Sequence, residues 1–278
     1  MTPLVSTDWL AERMHDPNIR IADASWYMPQ AGRNAKAEYA GGHIPGAVFF
    51  DIDDLSDETT SLPHMLAPAA KFADRMSNLG LGDGHSIVVY DGAGIFSSAR
   101  AWWMLRAMGH PDIAVLDGGM SKWRREGHPV DDLPVRPQAV NFTPRPDPTI
   151  IRAFSQMMEN LKTHAAQIVD ARGRPRFTAQ EPEPRPGLRG GHIPGSLNVP
   201  YSQLVAGDGT LKPPVELRSI FAEARVDLSA PIVTTCGSGV TAAIAMLALE
   251  LAGAKDVALY DGSWSEWGAH PEAPVETD

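Results

Sequence analysis

The sequence predicts a two-unit α/β protein, each unit a parallel sheet flanked by helices on both faces. Three observations carry this reading. Four segments recur in the same order along the 278 residues. Within each copy, short apolar runs alternate with segments of helical spacing. A proline-rich stretch separates the copies.

The duplication can be read directly. GGHIPGAVFF at 41–50 returns as GGHIPGSLNVP at 190–200, so His192 follows His43 by 149 positions (192 − 43). IRIADASW at 19–26 matches QIVDARGR at 167–174, and HSIVVYDGAGIF at 85–96 matches APIVTTCGSGVT at 230–241. IAVLDGGMSKW at 113–123 matches DVALYDGSWSEW at 256–267. IRIAD, SIVVY and IAVLD suit buried parallel strands, as do IVD, PIVTT and DVALYD in the second copy. APAAKFADRMSNLG, SSARAWWMLRAMGH, VELRSIFAEAR and TAAIAMLALELAG have helical spacing between them. Residues 128–149 hold six prolines (129, 134, 137, 144, 146 and 148), which fits neither helix nor central strand. The expected domains are 1–140 and 141–278.

Composition narrows the function. With 34 acidic and 24 basic residues the net charge is −10, which argues against a nucleic-acid or anionic-membrane surface as the main partner. A single cysteine allows no internal disulfide and no cysteine-rich zinc site. No ligand cluster suggests a metal or organic cofactor. The start lacks a signal-peptide pattern, and the longest apolar run, 242–249, is far short of the roughly 20 residues that span a bilayer. A cytoplasmic, reducing location is expected.

The one thiol, Cys236, sits where a strand ends, followed by Gly237, Ser238, Gly239, Val240 and Thr241 and then a helix. Glycines let such a loop curl with its amides inward, and the helix start favours an anion there. That is the setting of a nucleophilic thiolate rather than of a small buried hydrophobe. The first copy has Asp91 at the matching position, so one half is built for thiol chemistry and the other is not.

Two tandem units with GHIPG, and CGSGVTA at 236–242, resemble the two-domain rhodanese superfamily. DASWY at 23–27, HML at 64–66, EPEPRPG at 181–187 and YDGSWSEW at 260–267 are similar to its 3-mercaptopyruvate sulfurtransferase branch. The resemblance implies that Cys236 takes sulfur from 3-mercaptopyruvate as a persulfide, releases pyruvate, and passes sulfur to thioredoxin, a small thiol or cyanide. It implies a carboxylate clamp of Arg176 and Arg185, with Arg172, Arg174 and Arg189 as substitutes. It also implies a proton relay of Ser238, His64 and Asp53, the last two from the first half, which would put Cys236 at the seam of the two domains. His43 and His192 occur in both copies and read as packing residues, as do Trp102, Trp103, Trp264 and Trp267. Asp23 and Asp170, after the first strand of each unit, read as structural too, with Asp170 also a candidate to position a clamp arginine.

Three rival readings differ from this one at identifiable positions. A cysteine phosphatase or arsenate reductase needs an arginine six positions after the cysteine, and Ala242 stands there. A thiosulfate-specific rhodanese carries basic side chains in the loop, whereas Gly237 and Ser238 are neutral, so thiosulfate is the alternative donor. A non-catalytic rhodanese-like binding module would lack the cysteine.

Overall fold

The computed structural model describes residues 1–278 and contains two compact units. The first holds five strands: β1 (Leu4–Val5), β2 (Ile19–Asp23), β3 (Val48–Phe49), β4 (Ser86–Tyr90) and β5 (Ile113–Leu116). The second holds β6 (Ile151–Arg152), β7 (Gln167–Asp170), β8 (Leu197–Asn198), β9 (Ile232–Thr235) and β10 (Val257–Tyr260). The sheet orders are β1-β5-β4-β2-β3 and β6-β10-β9-β7-β8, so the second repeats the first strand for strand. All pairings are parallel.

The central strands form where apolar runs stand. Val88, Ala114 and Ile21 of the first sheet join Ile44, Met120 and Trp123 in one core. Val233, Ala258 and Ile168 join Ile193, Trp264 and Trp267 at the matching positions of the second. Trp102 and Trp103 are likewise buried, so all four tryptophans singled out are core residues. Helix Val240–Ala252 is apolar almost all round and buried along most of its length, as expected for a helix covered on several sides. It ends at Gly253, whose φ of +111° requires glycine.

Both GHIPG histidines pack inside their own units. His43 stacks on Tyr39 and its Nδ1 lies 2.9 Å from that residue's carbonyl; His192 does the same with Phe177, also at 2.9 Å. Each also pairs through its backbone with the strap that follows the last helix, His43 with Asp131 and His192 with Glu276. The motif therefore ties down the end of each repeat.

The units divide between Asp147 and Pro148, later than the expected residue 140. The proline-rich stretch is held by the first unit. Asp83 accepts from the Asn141 side chain at 2.8 Å and from the Thr143 backbone at 3.1 Å. Phe142 packs edge-on against Phe72, and the Arg145 backbone donates to Met108. Residues 58–65 belong to the second unit and 207–211 to the first. No helix is long and apolar enough to cross a membrane.

Candidate functional site

Cys236 follows β9 and is 2 % exposed. Its loop is held from behind by the segment after β10. The Trp264 N–H donates to the Cys236 carbonyl at 2.9 Å, and Ser265 donates to the Gly237 carbonyl through both its N–H (2.9 Å) and its hydroxyl (2.7 Å). The Cys236 N–H donates to Ser263 Oγ at 3.3 Å, and that hydroxyl donates onward to the Tyr260 carbonyl at 2.9 Å. Gly239 caps the following helix with φ of +79°, a conformation glycine adopts without strain. The helix's first-turn amides, beginning at Val240 and Thr241, have no intrahelical acceptors.

The first unit shows what such a loop binds. Asp91, fully buried, accepts the N–H groups of Ala93, Phe96 and Ser98, each at 2.8 Å. Burial raises its carboxyl pKa, while these hydrogen bonds favour the ionised form. The loop is thus an anion cradle filled by its own carboxylate. In the second unit the helix starts three positions earlier in the repeat, at Val240 rather than Ser98, so the loop is shorter, and a thiol stands where the first unit has its carboxylate.

The arginines fall into distinct roles. Arg172 is 1 % exposed and takes a bidentate hold on Asp170, so the arginine that Asp170 positions directly is Arg172 and neither of the two expected clamp arginines. Arg172 also donates to Glu183 at 2.8 Å and lies over the Trp264 ring. Glu183, whose side chain is 2 % exposed, also accepts from Arg176 at 2.5 Å. The chain Asp170–Arg172–Glu183–Arg176 therefore carries two positive and two negative charges. Arg176 ends it, and a Cβ on Gly237 would stand 3.0 Å from its Nη2. Arg185 donates to Ser238 Oγ at 3.4 Å, a long contact. Arg189 spends its donors on the carbonyls of Trp267, Gly268, His270 and Ala273. Arg174 is exposed on the short helix Arg174–Phe177. Arg176 and Arg185 thus reach the Cys236 loop, whereas Arg172 and Arg189 are committed to structure.

Ser238 is 6 % exposed. His64, also 6 % exposed, belongs to the same compact unit as Cys236 although it lies in the first half of the sequence. Its φ is +61°, an uncommon conformation for a residue with a Cβ. Asp53 belongs to the first unit, is exposed, and accepts the indole N–H of Trp26 at 3.1 Å.

Ser263, Ser265 and Glu183 were not singled out from the sequence. Ser263 holds φ of +48° where the first copy has Gly119 at +52°. A serine in a position that its repeat gives to glycine was the available signal. Such strain costs about 1–3 kcal/mol, and here it coincides with the hydroxyl that accepts the Cys236 amide.

The model for the rhodanese-like domain matches residues 6–126 and 152–270. The 3-mercaptopyruvate sulfurtransferase of Homo sapiens is 44% identical over 97% of this chain and 93% of its own. The thiosulfate sulfurtransferase of Cricetulus griseus is 46% identical over 99% of this chain and 94% of its own. Among solved structures, SseA from Escherichia coli, described as a 3-mercaptopyruvate sulfotransferase with the rhodanese fold, superposes with a TM-score of 0.87. It is 43% identical and covers 95% of this chain and 99% of its own.

Proposed function

The chain belongs to the rhodanese-like domain family, and from that premise we propose that it moves the sulfur of 3-mercaptopyruvate to a thiol acceptor through Cys236. The observation that supports this best is the pair of matching loops. One is filled by the Asp91 carboxylate; the other carries the only thiol at the matching strand end, directly before a helix that starts at Val240.

The Cys236 thiolate attacks the substrate sulfur. The carbon–sulfur bond breaks, its electron pair goes to the enolate of pyruvate, and a proton restores the ketone. Cys236 keeps the sulfur as a persulfide, whose charge the loop amides and the helix start stabilise. Arg176 and Arg185 hold the substrate's carboxylate and keto oxygen, with Arg176 aimed by Glu183. Ser238 and His64 deliver the proton. An acceptor thiolate then takes the outer sulfur and returns Cys236 to its starting state. Thioredoxin or a small thiol is the proposed acceptor, and the reducing cytoplasm the proposed location.

The Cricetulus griseus relative is a thiosulfate sulfurtransferase, so thiosulfate is the competing donor. The neutral Gly237 and Ser238 put no cation within the loop for a dianionic donor, and the planar Arg176 guanidinium beside Gly237 suits the carboxylate of 3-mercaptopyruvate. The test is mass spectrometry after incubation with 3-mercaptopyruvate. Wild type should gain one sulfur, about 32 Da, and Cys236→Ser should gain none. No gain in the wild type, or a higher kcat/KM for thiosulfate, would overturn the assignment.

A further inference from the structure

The unit without a thiol keeps a cavity of about 430 Å³ at the carboxyl ends of its strands, a volume typical of small-molecule sites. Asp23 ends β2 and Ser25 and Tyr27 follow it, Gly92 follows β4, and Ser121 and Arg124 follow β5. From β2 the chain leaves toward β3 at one edge, and from β4 toward β5 on the other side. The cavity is therefore at the sheet's switch point, where open α/β sheets bind ligands.

Its lining carries both signs of charge. Arg33 holds Glu38 through two hydrogen bonds of 2.6 and 2.9 Å and lies over the Tyr27 ring. The Tyr27 hydroxyl donates to Glu38 at 2.8 Å. Arg124 spends one donor on the Gly42 carbonyl at 2.9 Å. Its charge adds to that of Arg33, whose hydrogen bond is the larger cause, in holding the Glu38 carboxyl below its ordinary pKa. Asp23 is the second carboxyl of the wall.

The catalytic unit offers a second, independent observation. There the Arg176–Glu183 pair lies beside Gly237. Here the Arg33–Glu38 pair lies beside Gly92, where a Cβ would stand 3.2 Å from Arg33 Nη2. A guanidinium–carboxylate pair thus stands against the loop glycine in a unit that has no thiol for it to serve, and it is built from different positions of the repeat.

We propose that the first unit binds a small zwitterion, an α-amino acid, with its carboxylate toward Arg33 and Arg124 and its ammonium toward Glu38 and Asp23. A simple anion would face two carboxylates, and a simple cation two guanidiniums. An apolar ligand would strip water from the exposed Arg33, Glu38 and Arg124 without replacing it. Only a ligand carrying both charges meets each wall with the opposite sign.

The test is isothermal titration calorimetry on Cys236→Ser, whose substitution lies in the other unit and removes thiol chemistry. Three probes are compared: L-serine, acetate and ethylammonium. L-serine should give a saturable one-site isotherm at least tenfold tighter than either single-charge probe. Ser121→Phe, which places a ring at the cavity wall from an exposed helix position, and Glu38→Gln, which keeps size and hydrogen bonding, should each weaken L-serine at least tenfold. Both should leave sulfur transfer by the Cys236 protein unchanged, which also reports that they fold. No saturable heat with L-serine would overturn the site. Acetate binding as tightly as L-serine would overturn the zwitterion, and unchanged affinity in both variants would overturn the location.

Discussion

Ser263 accepts the backbone N–H of Cys236 at 3.3 Å while its own backbone sits at φ +48°. The strained residue and the loop that carries the nucleophile are thus coupled through one hydroxyl. Ser263→Ala keeps the strain and leaves a buried amide without its acceptor, so unfolding in urea should show a loss of about 1–3 kcal/mol. Ser263→Gly relieves the strain and should recover part of that loss. Persulfide formation should slow in both. Equal stability of the alanine and glycine variants would show that the conformation at 263 stores no strain.

Glu183 stands between Arg172 and Arg176 with its side chain almost wholly buried. Glu183→Ala leaves the Arg172 guanidinium buried with one counter-charge fewer, and breaking a buried pair costs roughly 3 kcal/mol. Because Arg176 loses its anchor too, the KM for 3-mercaptopyruvate should rise along with the loss of Tm. Arg185→Ala should separate the two effects. Arg185 is only half-buried, so stability should hold while kcat/KM falls about 10- to 100-fold, the worth of one charge-assisted hydrogen bond.

His64 can be tested without adding strain. Its φ of +61° is one that asparagine adopts readily. His64→Asn should therefore fold with nearly unchanged stability yet slow the first half-reaction in rapid-mixing experiments. Full-rate persulfide formation in His64→Asn would remove the histidine from the proton relay.

Burial pushes the Asp23 carboxyl from its ordinary 3.8 up to about 6, against hydrogen bonds from Ser25 that pull it down. A carboxyl raised in the folded state contributes stability below pH 3.8 that is lost as pH rises through about 6. Asp23→Asn lacks this loss. The stability of Asp23→Asn relative to wild type should accordingly grow between pH 4 and pH 7 by about 2–3 kcal/mol, at 1.36 kcal/mol per pKa unit. Urea unfolding at the two pH values measures it, and a constant difference would reject the burial cost.

Much of this was legible in the sequence because the chain states its plan twice. The six long strands announced themselves as apolar runs. The four two-residue strands, Leu4–Val5, Val48–Phe49, Ile151–Arg152 and Leu197–Asn198, are too short to show a period. Cys236 stood out between a strand and glycines. Glu183 did not, because an acidic residue among prolines looks like surface until the fold buries it against two guanidiniums. The proline-rich stretch read as a free connector because the hydrogen bonds from Asn141 and Thr143 to Asp83 join residues far apart in sequence.

The occupied loop of the first unit has one more consequence. Asp91 is tethered to the amides it fills, so its effective concentration there is fixed by the chain. Dissolved anions cannot compete it away at ordinary concentrations. The Cys236 loop carries a thiol in place of a tethered carboxylate, so an added anion meets no built-in competitor there. Inhibition by sulfate or phosphate should therefore titrate as a single site, reporting on the Cys236 loop alone although the molecule contains two.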